Sequence, residues 1–358
     1  MSGDRPAARA GLRPRTVAWL VTLVVIVALA AASALVHLPY AIFRPGPAWN
    51  TLGKLGGHEL ITIKGTKTYP ADGALDFVTV SVFGGPNNPV NVWDVLSAKL
   101  SGHAEILPED AVFPEGVTGK EVQHRNELEM VHSQEEAAVV ALRALGRSVP
   151  ERIVIAGVQQ GSAAKGKLRK GDVIRRVAGE RTTDVSDVQR LIQAQRAGST
   201  VAITVRRSGE ERTVHVRTHA VDGHTVVGVL LMPDFDLPFT VNIDAGNVGG
   251  PSAGMMFSLG VYDKLTPGSL TDGKRFAGTG TIDSDGDVGP IGGIAQKMVG
   301  ARDEGAHWFL APERNCDDVV GHVPDGLEVV KVSTFDDALH LVKEIAGGTT
   351  SGLPRCGT

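Results

Sequence analysis

Two glycine-rich turns hold the residues best suited to chemistry. Gly249-Gly250-Pro251-Ser252-Ala253-Gly254 places a serine in a tight turn directly ahead of a helix predicted over Ala253–Leu265. Such a turn exposes the hydroxyl, and the free N–H groups where the helix begins, at Ser252 and Ala253, are suited to receiving an oxyanion. A serine is a poor nucleophile without a base. No GxSxG elbow and no patterned histidine partner accompanies Ser252, but Lys297 follows a second such turn, Pro290-Ile291-Gly292-Gly293, one turn into a predicted helix. An ordinary lysine, with a pKa of about 10.4, stays protonated at neutral pH. One drawn into an apolar site loses that proton more readily and can accept the serine's. Taken singly, each residue also has a plain structural reading: glycine–serine turns are common, and most helical lysines are solvated.

Other chemistries find little support. No Cys/His spacing resembles a zinc site, and His58-Glu59 is followed by Leu-Ile-Thr rather than completing HExxH. Gly161-Ser162-Ala163-Ala164-Lys165-Gly166-Lys167 matches GxxxxGK, but Leu168 stands where a phosphate-binding loop needs Ser or Thr for magnesium. No metal or organic cofactor is expected. The net charge of -4 divides into +3 over residues 1–16 and -7 over the rest. A folded part so charged offers no basic face to nucleic acid. Cys316 and Cys356 leave a disulfide and a pair of free thiols equally open.

The elements that must position these residues begin with an uncharged run, 17–36, behind the arginines at 5, 9, 13 and 15. At 1.5 Å per residue it would form a helix of about 30 Å, the thickness of a bilayer core. The expectation is a transmembrane helix over 17–37 with residues 1–16 cytoplasmic and the remainder extracytoplasmic at the bacterial cell membrane. A cleavable signal peptide, with Ala32-Ser33-Ala34 as its small-residue site, is the alternative. Residues 38–57 read as an emergence segment with turns, 59–83 as a β-hairpin, and 92–100 as a short helix. The segment 101–125 reads as irregular chain carrying a few short elements, and 130–146 as a helix with Ser133 as N-cap and Glu136 at N3. Residues 225–346 alternate strands and helices, and 347–358 read as a flexible tail.

Residues 149–218 resemble a PDZ domain of the kind found in bacterial exported proteases. The resemblance rests on Gly161-Ser162-Ala163-Ala164, Leu168 and Gly171-Asp172-Val173-Ile174, followed by a helix over 184–195. It implies a peptide-binding groove beside Ile153, Val154, Ile155 and Ala156, with a bound peptide added as a strand. A PDZ-shaped spacer without a ligand is the alternative.

The C-terminal region resembles the proteolytic domain of the Lon family in three motifs: Gly250-Pro251-Ser252-Ala253-Gly254, Thr279-Gly280-Thr281-Ile282 and Pro290-Ile291-Gly292-Gly293-Ile294-Ala295-Gln296-Lys297. It implies an α+β fold of mixed sheets and helices, with Ser252 as nucleophile, Lys297 as general base and Thr279 supporting the amine. The likeness extends upstream to TLGKLGGHELITIKG and MVHSQEEAAVVALRALG. A protease region over 38–146 would then be interrupted by a PDZ-like module, 147–224, and resume at 225–346. Gly249 stands where many relatives have aspartate, and Thr281 where many have glutamate. No ATPase module accompanies the motifs, so the expectation is ATP-independent endopeptidase action on unfolded or flexible extracytoplasmic proteins. By family analogy alone the chain would assemble as a homo-oligomer, a hexamer. The rival readings are an inactive membrane-tethered peptide-binding scaffold and a trypsin-like enzyme, the latter lacking GNSGG and spaced His/Asp partners.

Overall fold

A computed structural model describes residues 14–86, 88–113 and 116–357. The arginines at 5, 9 and 13, with most of the expected cytoplasmic tail, lie outside these residues. Helix α1, Pro14–Ser33, ends where the Ser33 hydroxyl donates back to the Ala30 carbonyl at 2.8 Å, and the last three residues of the apolar run fall outside it. The seventeen residues of that run within the helix, 17–33, span about 26 Å, against a core of roughly 30 Å. No helix among the described residues is long and apolar enough to cross a membrane. That finding corrects the expected transmembrane helix, the membrane as partner, and single-pass placement at the cell membrane.

Strand β1, Tyr40–Asn50, occupies what the sequence presents as a turn-rich segment. Its prolines lack N–H donors, and a register shift between Pro45 and Ala48 carries the ladder past them. Strands β2, Ile61–Lys64, and β3, Ala74–Phe83, do not form the expected hairpin. The first half of β3 is buried on both faces, as suits a central strand with a neighbour on each side. Helix α2, Val92–Ser101, starts at a capping box between Asn91 and Asp94, and strand β4, Glu105–Pro108, follows. Helix α3, Gly119–Ala144, begins at a Thr118–Glu121 capping box, well before the expected start. Ser133 is therefore a mid-helix residue rather than its cap.

Beyond α3 come strands β5, Glu151–Val158, and β6, Val173–Val177, then helix α4, Val185–Gln193. Strands β7, Thr200–Arg207, β8, Glu210–Arg217, and β9, Val229–Phe235, follow. They form one sheet in the order β8-β7-β6-β5-β9. Its own core includes Ile153, Ile155, Leu168, Ile174, Val188 and Leu191. Asp172, 1% exposed, accepts two hydrogen bonds from the Arg207 guanidinium, both at 2.6 Å.

Strand β10, Thr240–Ile243, leads to helix α5, Gly254–Leu265. Then follow strand β11, Arg275–Gly278, the hairpin of β12, Thr281–Ile282, and β13, Val288–Gly289, and helix α6, Ile294–Asp303. Strands β14, Trp308–Pro312, and β15, Glu328–Val332, and helix α7, Phe335–Ala346, complete the fold. A six-stranded sheet runs β15-β14-β11-β3-β1-β4, with β15, β14, β11 and β3 mutually parallel and β1 antiparallel to both of its neighbours. It thus draws strands from both sides of the 147–224 segment. Strand β10 pairs antiparallel with β2. The main core joins Leu75, Phe77, Leu142, Phe257, Phe276 and Val342, with the Phe77 and Phe257 rings edge to face at 5.2 Å.

The C-terminal residues are held rather than loose. Cys356 is disulfide-bonded to Cys316, the Lys331 N–H donates to the Pro354 carbonyl at 3.0 Å, and Leu353 is buried. The expectation of a flexible tail missed these constraints because each reaches far back along the chain.

Candidate active site

The structure brings Ser252, Thr279 and Lys297 together. Lys297 projects from the first turn of α6, whose entry requires Gly293 at φ 67°. Its amine donates to Ser252 Oγ at 2.7 Å and to Thr279 Oγ1 at 2.9 Å. The lysine is 2% exposed, and this burial lowers its pKa from 10.5 to about 7.

The serine turn is fixed by its neighbours. The Gly250 N–H donates to the Asn126 carbonyl of α3 at 3.0 Å. The Ser252 carbonyl accepts from the Gly280 N–H at 2.8 Å and from Thr279 Oγ1 at 3.0 Å. Thr279, 0% exposed, therefore receives a hydrogen bond from the lysine and gives one to the serine's own main chain. Gly249 permits the approach of α3, since a Cβ there would lie 2.9 Å from Asn126 Cβ. Gly254 does the same against Ser133 Oγ and Ile282 Cγ2, at 2.6 and 2.7 Å.

A cavity of about 500 Å³ opens beside Ser252 and Lys297, walled by Trp49, Leu55, Phe77, Val80 and Met130. A neighbouring cavity of about 330 Å³ shares Met130, Ala245, Gly246 and Val248 with it and continues between α3 and β10. Sequence reasoning missed the contribution of α3 to this site. The Thr118-x-x-Glu121 pattern carried the signal that the helix starts early.

The groove expected beside Ile153–Ala156 is misplaced. Those residues belong to β5, which is hydrogen-bonded by β6 on one side and β9 on the other, so no edge is left for a peptide. Among the described residues the open edge at that end of the sheet belongs to β9, which neighbours α4 and exposes Leu230 and Met232. The misplacement arose because β9 lies outside the 149–218 segment from which the module was read.

Residues 116–218 match the family model of the PDZ domain, and residues 236–344 match that of the Lon protease (S16) C-terminal proteolytic domain. The C-terminal region is Lon-like. The Lon protease 2 of Bacillus subtilis (strain 168) is 30% identical over 116 residues, which is 32% of this chain and 20% of that protein. The Lon protease of Azospirillum brasilense is 38% identical over 102 residues, 27% of this chain and 12% of its own. That of Frankia alni is 33% identical over 148 residues, covering 38% and 16%. The chain thus spans a fifth or less of the length of these relatives. Among solved structures, the PDZ domain of the SdrC-like protein of Listeria monocytogenes matches at 21% identity and a TM-score of 0.21, covering 22% of this chain and 85% of that one. The similarity to Lon proteolytic domains supports a serine-protease-like hydrolytic function.

Proposed function

We propose that the chain is a serine endopeptidase in which Ser252 is the nucleophile and Lys297 the general base. The observation that carries this reading is the 2.7 Å approach of a buried lysine amine to Ser252 Oγ. In its neutral form Lys297 takes the hydroxyl proton as Ser252 Oγ bonds to the scissile carbonyl carbon. The oxyanion so formed is received by the N–H groups of Ser252 and Ala253, for which the structure gives no other partner. Collapse breaks the C–N bond, and the lysine returns its proton to the leaving amine. Water, deprotonated by the same amine, then releases the acyl group and restores the serine. Thr279 positions the amine and needs no proton of its own to be exchanged.

The shared six-stranded sheet supports reading a module inserted into the protease region, expected over 147–224 and carried by strand pairing through the end of β9 at Phe235. Its substrates would be extended peptides or unfolded segments, since the two contiguous cavities form a cleft rather than a closed chamber. A peptide adding to the open edge of β9 would be the module's ligand. The test is labelling with a serine-reactive phosphonate followed by peptide mapping: a single adduct on Ser252, lost in Lys297→Met, is expected. An adduct elsewhere, or full peptide hydrolysis by Ser252→Ala, would remove the proposal.

A further inference from the structure

Helix α3 lies outside the matched proteolytic segment 236–344, yet one of its side chains reaches the nucleophile turn. Ser133 is 1% exposed. A mid-helix serine usually bonds back to its own helix, but Ser133 Oγ donates to the Pro251 carbonyl at 3.0 Å, 118 residues along the chain. That carbonyl belongs to the same planar trans unit as the Ser252 N–H, so the two point in opposite directions. Anchoring the oxygen on α3 aims the N–H away from α3.

The next peptide unit is held in the same manner. Its carbonyl, that of Ser252, is pinned by the Gly280 N–H and Thr279 Oγ1, which orients the Ala253 N–H. Two consecutive carbonyls are thus anchored, and their paired N–H groups are left without a partner in the structure. The Pro251 carbonyl is otherwise met only by the Gly254 N–H at 3.3 Å, the longer of its two contacts.

We infer that Ser133 is a positioning residue that sets the direction of the Ser252 N–H and so prepares the oxyanion site. It touches neither substrate nor the reacting atoms. This inference rests on the peptidase reading above. Loss of one oxyanion donor costs about 10²–10³ in kcat, and an unanchored donor should cost less, about 10- to 100-fold.

The experiment compares full-length wild type with Ser133→Ala and Ser133→Cys in peptide hydrolysis, with a peptidyl boronate as a tetrahedral probe. Ser133→Ala is expected to lower kcat about 10- to 100-fold with KM within twofold, and to weaken boronate inhibition in parallel. The acid limb of its pH profile should stay in place, because Lys297 is untouched. Ser133→Cys, which keeps the volume and a weak donor, should lose less. If both variants keep wild-type kcat and boronate affinity, or if both lose activity only in step with folded fraction, the inference is overturned. Should Ser133→Ala not fold, Ser133→Cys decides alone: wild-type boronate affinity overturns the inference, and weakened affinity with unchanged KM supports it. A wild type that is itself inactive, or an active Ser252→Ala, defeats the peptidase reading instead.

Discussion

Lys297 Nζ lies 2.7 Å from Ser252 Oγ while almost the whole lysine side chain is withdrawn from solvent. Burial and proximity act together: the first makes the neutral amine accessible near neutral pH, and the second puts it where the proton is. The expected consequence is that Lys297→Met, which keeps the length but cannot take a proton, lowers kcat at least about 10³-fold. Circular dichroism and urea unfolding should show the fold retained. Cleavage within tenfold of wild type would assign the base to another residue.

The pH dependence of activity follows from the same group. With a folded pKa of about 7, the fraction of neutral lysine falls about tenfold for each pH unit below that value, and kcat/KM should fall with it. A rate profile from pH 5 to 9 measures this, and an acid limb centred two units lower would point to a carboxylate base.

Stability should respond to Lys297 in the opposite sense from an ordinary ion pair. Between about 7 and 10.5 the unfolded chain holds a proton that the folded one has shed. Folding is therefore strengthened as pH rises through that window. Urea midpoints measured at pH 7 and 9 should rise more in wild type than in Lys297→Met.

Glu136 carries the contrary sign. Burial, with Asp283, Glu135 and Glu151 nearby, raises its pKa from 4.5 to about 7, and His132 Nε2 sits 3.4 Å from its carboxylate. Between those values the folded chain keeps a proton that the unfolded chain loses, so this group's contribution declines as pH rises. Glu136→Gln should flatten the loss of urea stability between pH 5 and 7, and an unchanged slope would show that neither burial nor the nearby carboxylates raise its pKa.

The disulfide closes a separation of 40 residues between Cys316 and Cys356, for which chain-entropy reasoning gives about 4 kcal/mol. Cys356→Ser should lower the urea midpoint and open the 347–357 segment to amide exchange. An unaltered midpoint would mean that Leu353 and the contacts to β15 suffice.

Much of this architecture is legible in the residues, and what is not has a physical reason. The Asn91–Asp94 and Thr118–Glu121 boxes state where two helices begin, and the helix at 92–100 is readable within a residue. The PDZ-like order of strands and helix is local and so survives in the sequence. The hairpin over 59–83 does not, because turn residues describe what the chain can do at 65–73 and not that β2 finds its partner in β10. In the site, the glycine turns bring Ser252 and Lys297 to attention as residue types, whereas Thr279 enters only through the resemblance to Lon proteolytic domains. Ser133 gives no such sign, since its importance lies in which carbonyl it meets. Likewise the edge at β9 cannot be found from the PDZ-like segment alone, as the strand that closes that sheet is drawn from beyond it.

Strand β9 ends at Phe235, β10 begins at Thr240 and ends at Ile243, and Ser252 follows within the next loop. Each strand is stitched to a different sheet, so little slack lies between the two fixed lengths. The edge where a peptide would add and the turn that holds the serine are therefore threaded on one short cord. Along the main chain, that edge reaches the serine turn only by way of β10, which the antiparallel ladder to β2 holds in place.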